Sequence, residues 1–62
     1  MTTFKVVNDK TKEVLLETAE NPCHFAYEAI KQLGHEIFIE VYEDGKFSHW
    51  VDSDSIIEDC ER

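Results

Sequence analysis

Apolar residues recur along this chain with two different periods, and the change of period marks its elements. In residues 4–8, Phe4 and Val6 alternate with Lys5 and Val7; in residues 13–18, Val14 and Leu16 alternate with Leu15 and Glu17. Period two is the mark of a strand, whose successive side chains point to opposite faces. Asn8, Asp9, Lys10, Thr11 and Lys12 between them are turn formers, so a β-hairpin with a loop of about four or five residues is expected. The period then lengthens. Ala26, Ala29, Ile30 and Leu33 fall on one side of a helix with Phe25 flanking, and His24, Glu28, Lys31 and Gln32 on the other. Asn21 is suited to cap the first amides and Pro22 to stand at the first helical position, while Gly34 suits the left-handed residue that ends the helix.

Residues 36–43, Glu-Ile-Phe-Ile-Glu-Val-Tyr-Glu, form the clearest strand in the chain. Asp44 and Gly45 follow as a two-residue type I′ turn, which needs positive φ at both positions, and residues 46–52 return as a fourth strand. Ser55-Ile56-Ile57-Glu58 matches a capping box, which predicts a single C-terminal helical turn docking Ile56 or Ile57. The expected fold is α+β in one domain spanning residues 1–62. A β-hairpin, a helix and a second β-hairpin place one helix on a mainly antiparallel four-stranded sheet. The order of the strands is open at this point, since either strand of the first hairpin can lie at the centre.

A regular ladder from the Asp44–Gly45 turn pairs Glu43 with Lys46, Tyr42 with Phe47, Glu40 with His49, Ile39 with Trp50 and Phe38 with Val51. One face then holds Ile37, Ile39, Val41, Ser48 and Trp50, and the other Phe38, Glu40, Tyr42, Phe47, His49 and Val51. Both are substantially apolar, yet one full helix covers only one of them. The helix is expected on the first, which has no charge at its middle. The second is left as an aromatic surface around Glu40 and His49, of the kind that marks an interaction site. Two alternatives compete with this. The first hairpin or the C-terminal turn can fold over the patch and make it core, and a one-residue slip of register exchanges the faces. A second copy of the chain can also occupy the patch, giving a homodimer.

Charge narrows the partners. Fourteen Asp and Glu stand against six Lys and Arg, for a formal charge of -8. Nucleic-acid backbones and anionic membranes are bound by clustered cations, so neither is expected as a direct ligand. The imbalance is uneven: five acids meet four lysines in residues 1–35, while nine acids meet Lys46 and Arg62 in residues 36–62. Glu43 and Asp44 of the second hairpin, with the acids of the tail, can present a negative array to a basic cleft. Asp52, Asp54, Glu58, Asp59 and Glu61 are close enough in sequence to form one strip of it. A solvated acidic surface with no such role is the plainer alternative.

Signals for catalysis and cofactors are sparse. No Gly-rich phosphate loop, nucleophile elbow or Asp-x-Asp metal loop occurs. Cys23 near a helix start would have its thiol acidified, but His24 beside it points about 100° away and is a poor base for it. Cys23, His24, His35, His49 and Cys60 lack paired zinc spacing, so no metal or other cofactor is expected. Glu40 and His49, opposite one another in the regular ladder, are read as an ion pair before an acid–base dyad. The two cysteines are expected as separate thiols in a reducing cytosol. The start, Met-Thr-Thr-Phe-Lys, lacks the charge and apolar stretch of a signal peptide, and no run approaches the ~20 apolar residues of a membrane span, so a cytoplasmic protein is expected.

In size, acidity and compact α+β build, with Val-Tyr-Glu-Asp-Gly-Lys and His-Trp-Val-Asp as its most recognisable stretches, the chain resembles the small acidic proteins that bacteriophages and mobile elements encode to block host machinery. DNA mimics, anti-CRISPR proteins and antitoxins belong to that group. The resemblance implies a non-enzymatic, stoichiometric inhibitor acting in the host cytoplasm on a basic nucleic-acid-handling or defence protein. A homodimeric module using the aromatic face, and a thiol-dependent activity at Cys23, are the rival expectations.

Overall fold

A computed structural model describes residues 1–60. Strands β1 (Thr2–Asn8) and β2 (Glu13–Thr18) are followed by helix α1 (Cys23–Leu33), strands β3 (Ile37–Glu43) and β4 (Lys46–Val51), and helix α2 (Ser53–Cys60). The strands form one antiparallel sheet in the order β2-β1-β3-β4, so the first strand of each hairpin is central. Both helices lie on one side, giving a slab 30 × 29 × 15 Å. The α+β architecture agrees with the periodicity. Neither helix is long and apolar enough to cross a membrane.

The core is what one helical layer can shelter. Val6 of β1, Ile37, Ile39 and Val41 of β3, Ala26 and Ile30 of α1 and Ile56 of α2 are buried together. Phe4, Leu15, Leu16 and Val51 pack against this cluster from the sheet. Phe25 and Leu33, by contrast, remain 44% and 49% exposed at the rim of α1.

Turns and caps follow their local chemistry. Asp44 and Gly45 have φ of 52° and 83°, as the type I′ turn requires. Gly34, with φ 99°, closes α1 by donating its amide to the Ile30 carbonyl at 2.8 Å. Asn21 accepts the Cys23 amide at 3.0 Å, and Pro22 stands one place before the first helical residue instead of inside the helix. The C-terminal helix is longer than a single turn. Its cap is Asp52, whose Oδ1 accepts the Ser55 amide at 2.9 Å, so the helix starts at Ser53 and not at the expected capping box. That bond, with a second from the Ser55 hydroxyl, holds the Asp52 carboxyl below its usual range.

Two corrections concern register. Between Val41 and Tyr42 the ladder slips, so β4 carries an extra residue at Ser48: Tyr42 still faces Phe47, but Val41 faces His49, Glu40 faces Trp50 and Ile39 faces Val51. The bulge sends His49 and Val51 to the helical side and Trp50 to the open side, the reverse of the regular ladder. A second bulge lies opposite Val6 and Val7 on β2, where Leu15 and Leu16 both reach the helical side and Val14 stays on the open one. Both edge strands are therefore bulged, which discourages edge-to-edge pairing.

Because Ser48 is the surplus residue, its deletion is expected to leave every other pairing in place. The single tryptophan, Trp50, reports on this directly. Its emission maximum and its quenching by acrylamide should match the parent protein. Had β4 paired regularly, the same deletion would move Trp50 across the sheet, and its emission would change.

A third correction concerns the cysteines. Cys23 at the start of α1 and Cys60 at the end of α2 form a disulfide across 37 positions, with their Cα atoms 6.4 Å apart. Spacing alone does not reveal this. It depends on α2 folding back over the sheet beside α1.

Candidate docking face

The open side of the sheet is built from three cross-strand rows, which follow from the registers. The first runs Val14, Val7 and Phe38; the second Glu17, Lys5, Glu40 and Trp50; the third Thr3, Tyr42 and Phe47. Val7, flanked by Val14 and Phe38, is buried even without a helix above it. Farther toward β4 the cover fails. Phe47 is 55% and Trp50 60% exposed.

The rings are ordered by each other. Phe38 and Trp50 meet edge-to-face with centroids 5.6 Å apart, and Tyr42 and Phe47 do the same at 5.8 Å. Lys5 is held by two neighbours, with its Nζ 4.8 Å from the Tyr42 ring centroid and 3.6 Å from Glu17 Oε2. The Tyr42 hydroxyl donates to Glu40 Oε1 at 3.1 Å. This bond raises the Tyr42 pKa above its ordinary value, helped by burial and the Glu40 charge and opposed by Lys5.

Between these rings lies a groove of about 300 Å³, lined by Asp9, Phe38, Glu40, Phe47 and Trp50. Among the described residues that line it, Asp9 and Glu40 are carboxylates and none is a cation. Asp9 reaches it from the first hairpin loop, where Lys12 Nζ donates to Asp9 Oδ1 at 2.7 Å.

The expected site residues are thus divided. Phe38, Glu40, Tyr42 and Phe47 come together as anticipated, while His49 leaves for the helical side and the Glu40–His49 pair does not form. Two residues of the groove escape a reading by regular pairing: Trp50, which that pairing puts on the helical face, and Asp9. The missing signal is register for Trp50 and strand order for Asp9, which approaches because β1 lies beside β3. The acidic array is also dispersed. Asp44 pairs with the N-terminal amine, Glu43 accepts the Thr2 hydroxyl at 2.8 Å, and Asp52 caps α2. Asp54 stands 3.9 Å from His35, and Glu58 and Asp59 also belong to α2, in the layer opposite the aromatic rings. Glu61 lies outside the described residues. One surface uniting the rings with the α2 carboxylates is therefore not formed.

On the helical side, a second groove of about 310 Å³ contains His49, Glu43 and Asp59 over Phe4, Val41 and Ile56. Cys23, bonded to Cys60, is not a free thiol. No family model matches the chain, and no curated protein or solved structure matches it either.

Proposed function

We propose that the protein is a non-enzymatic binding module whose open sheet face docks on a basic site of a partner protein. The observation that carries this is the half-exposed Phe47 and Trp50 beside a groove whose charged lining residues are the carboxylates Asp9 and Glu40. Aromatic rings with little rotamer freedom are the residues that anchor interfaces, and a chain of charge -8 is drawn to cationic surfaces before contact. The α2 carboxylates contribute through that long-range field and not through the docking face. A site that tracks a phosphate backbone has this basic character. Its occupation would make the module a stoichiometric inhibitor, the role implied by its resemblance to acidic phage-encoded inhibitors.

The test uses the immobilised chain and a Phe47→Ala, Trp50→Ala double variant with the same lysate. The parent is expected to retain a basic protein in stoichiometric amount at ~50 mM salt and to release most of it by ~200 mM, because screening strengthens over that range. The double variant should retain at least about 100-fold less, the combined weight of two interface anchors. Equal retention by both proteins would remove the aromatic face from the contact. A concentration-dependent doubling of mass in sedimentation, lost in the double variant, would assign the face to a second copy of this chain.

A further inference from the structure

Resting on the docking role just described, we infer that the groove between Phe38, Phe47 and Trp50 is a slot for one arginine side chain of the partner, with Glu40 as its counter-charge. Glu40 and Trp50 are direct cross-strand partners, so the carboxylate and the indole project side by side from adjacent strands. Only Glu40 Oε1 is engaged, by the Tyr42 hydroxyl; Oε2 makes no hydrogen bond or ion pair among the described residues. Lys5, the nearest cation along the same row, is occupied by Glu17 and the Tyr42 ring. A half-buried carboxylate with a spare oxygen beside an exposed indole is a ready acceptor for a cation that can also stack.

Arginine fits this arrangement better than other cations. Its planar guanidinium lies flat on an aromatic face while its edge donates to a carboxylate, and it is weakly hydrated, so a shallow, open groove can still desolvate it. The lysine ammonium is compact and strongly hydrated and gains less from a single open wall. A quaternary ammonium has no N–H and would leave Glu40 Oε2 unbonded. Phe38 meets Trp50 edge-to-face at 74° and so walls one side of the slot, while Trp50 stays 60% exposed and keeps surface available for stacking.

The experiment titrates the labelled full chain with Nα-acetyl-arginine methylamide and follows the Trp50 indole N–H by NMR. A saturable shift with a midpoint on the order of millimolar is expected, as for one stacked, charge-assisted contact. The uncharged citrulline analogue should produce no saturable shift. Glu40→Gln, checked for an unchanged melt, should raise the midpoint at least about tenfold, the weight of a hydrogen bond to a charged group. Lysine and choline analogues should also bind at least about tenfold more weakly than arginine. Citrulline binding equal to arginine, indifference to Glu40→Gln, or tighter binding of lysine or choline would each overturn the assignment. So would no shift up to ~100 mM, well above the midpoint that such a contact predicts. If the titration fails while Phe47→Ala, Trp50→Ala still abolishes partner retention, the arginine slot is lost and the docking face stands. A positive titration without any retained partner keeps the slot and overturns the docking role.

Discussion

Reduction of the Cys23–Cys60 bond is expected to lower the melting temperature by about 15–30 °C. The bond closes a segment of 37 positions, and a loop of that length restricts the unfolded chain by about 4 kcal/mol. For a domain of this size each kcal/mol moves the midpoint by roughly 4–8 °C. A core of this extent rarely supplies more than about 3–5 kcal/mol by itself, so the bond is comparable to everything else. Its loss should be felt first at α2, which otherwise holds to the fold through the buried Ile56, the partly buried Ile57 and the contact of Ser53 with His35 at 3.4 Å. Circular-dichroism melts with and without reductant, repeated on Cys23→Ser, Cys60→Ser, give the measurement. Coincident melts of the oxidised and reduced protein would show that the loop is already constrained without the bond.

The elements themselves are legible in the sequence because each is written locally. Alternation at Phe4–Val6 and along residues 36–43, the Asp44–Gly45 pair and the Asn21–Gly34 boundaries carry their structure in adjacent residues. What stays hidden depends on two strands at once. Ser48 is an ordinary strand residue until it is counted against β3, and only then does the surplus appear and Trp50 change sides. The disulfide is hidden for a related reason. Starting α2 at Ser55 leaves Cys60 in a tail, whereas capping by Asp52 yields an eight-residue helix of about 12 Å that carries Cys60 back to the start of α1. The acidic strip fails because proximity in sequence does not make a shared surface. The β4–α2 turn puts its helical members in the layer behind the sheet, and Asp52 is used as a cap.

That separation changes what the charge does. Glu17 is matched by Lys5 and Asp9 by Lys12, so among the described residues Glu40 is the carboxylate lining the groove that has no cation paired with it. Contact with a cation in the groove then falls to one carboxylate among rings, and the acids of α2, in the opposite layer, act at long range, where salt screens them. The expected salt dependence of partner binding and the expected tenfold effect of Glu40→Gln therefore come from different parts of the molecule. They can be measured independently.

Whether the open face exists for folding or for docking is decided by comparing two side-chain truncations in the oxidised protein. Ile37 is 1% exposed at the meeting point of sheet and helices, and Ile37→Ala is expected to cost about 2–5 kcal/mol, most of what the core supplies. Trp50 is the larger side chain, and in a core its removal would cost about 3–5 kcal/mol. At 60% exposure it gives up mainly its edge-to-face contact with Phe38, worth about 0.5–1.5 kcal/mol, so Trp50→Ala should shift the urea midpoint far less than Ile37→Ala. Burial and size thus predict opposite rankings. A stability loss at Trp50 matching that at Ile37 would make the aromatic face a second core, and the docking role would fall with it. A small loss leaves a large indole held in order against Phe38 while contributing little to stability, which is the condition of a side chain placed for contact with another molecule.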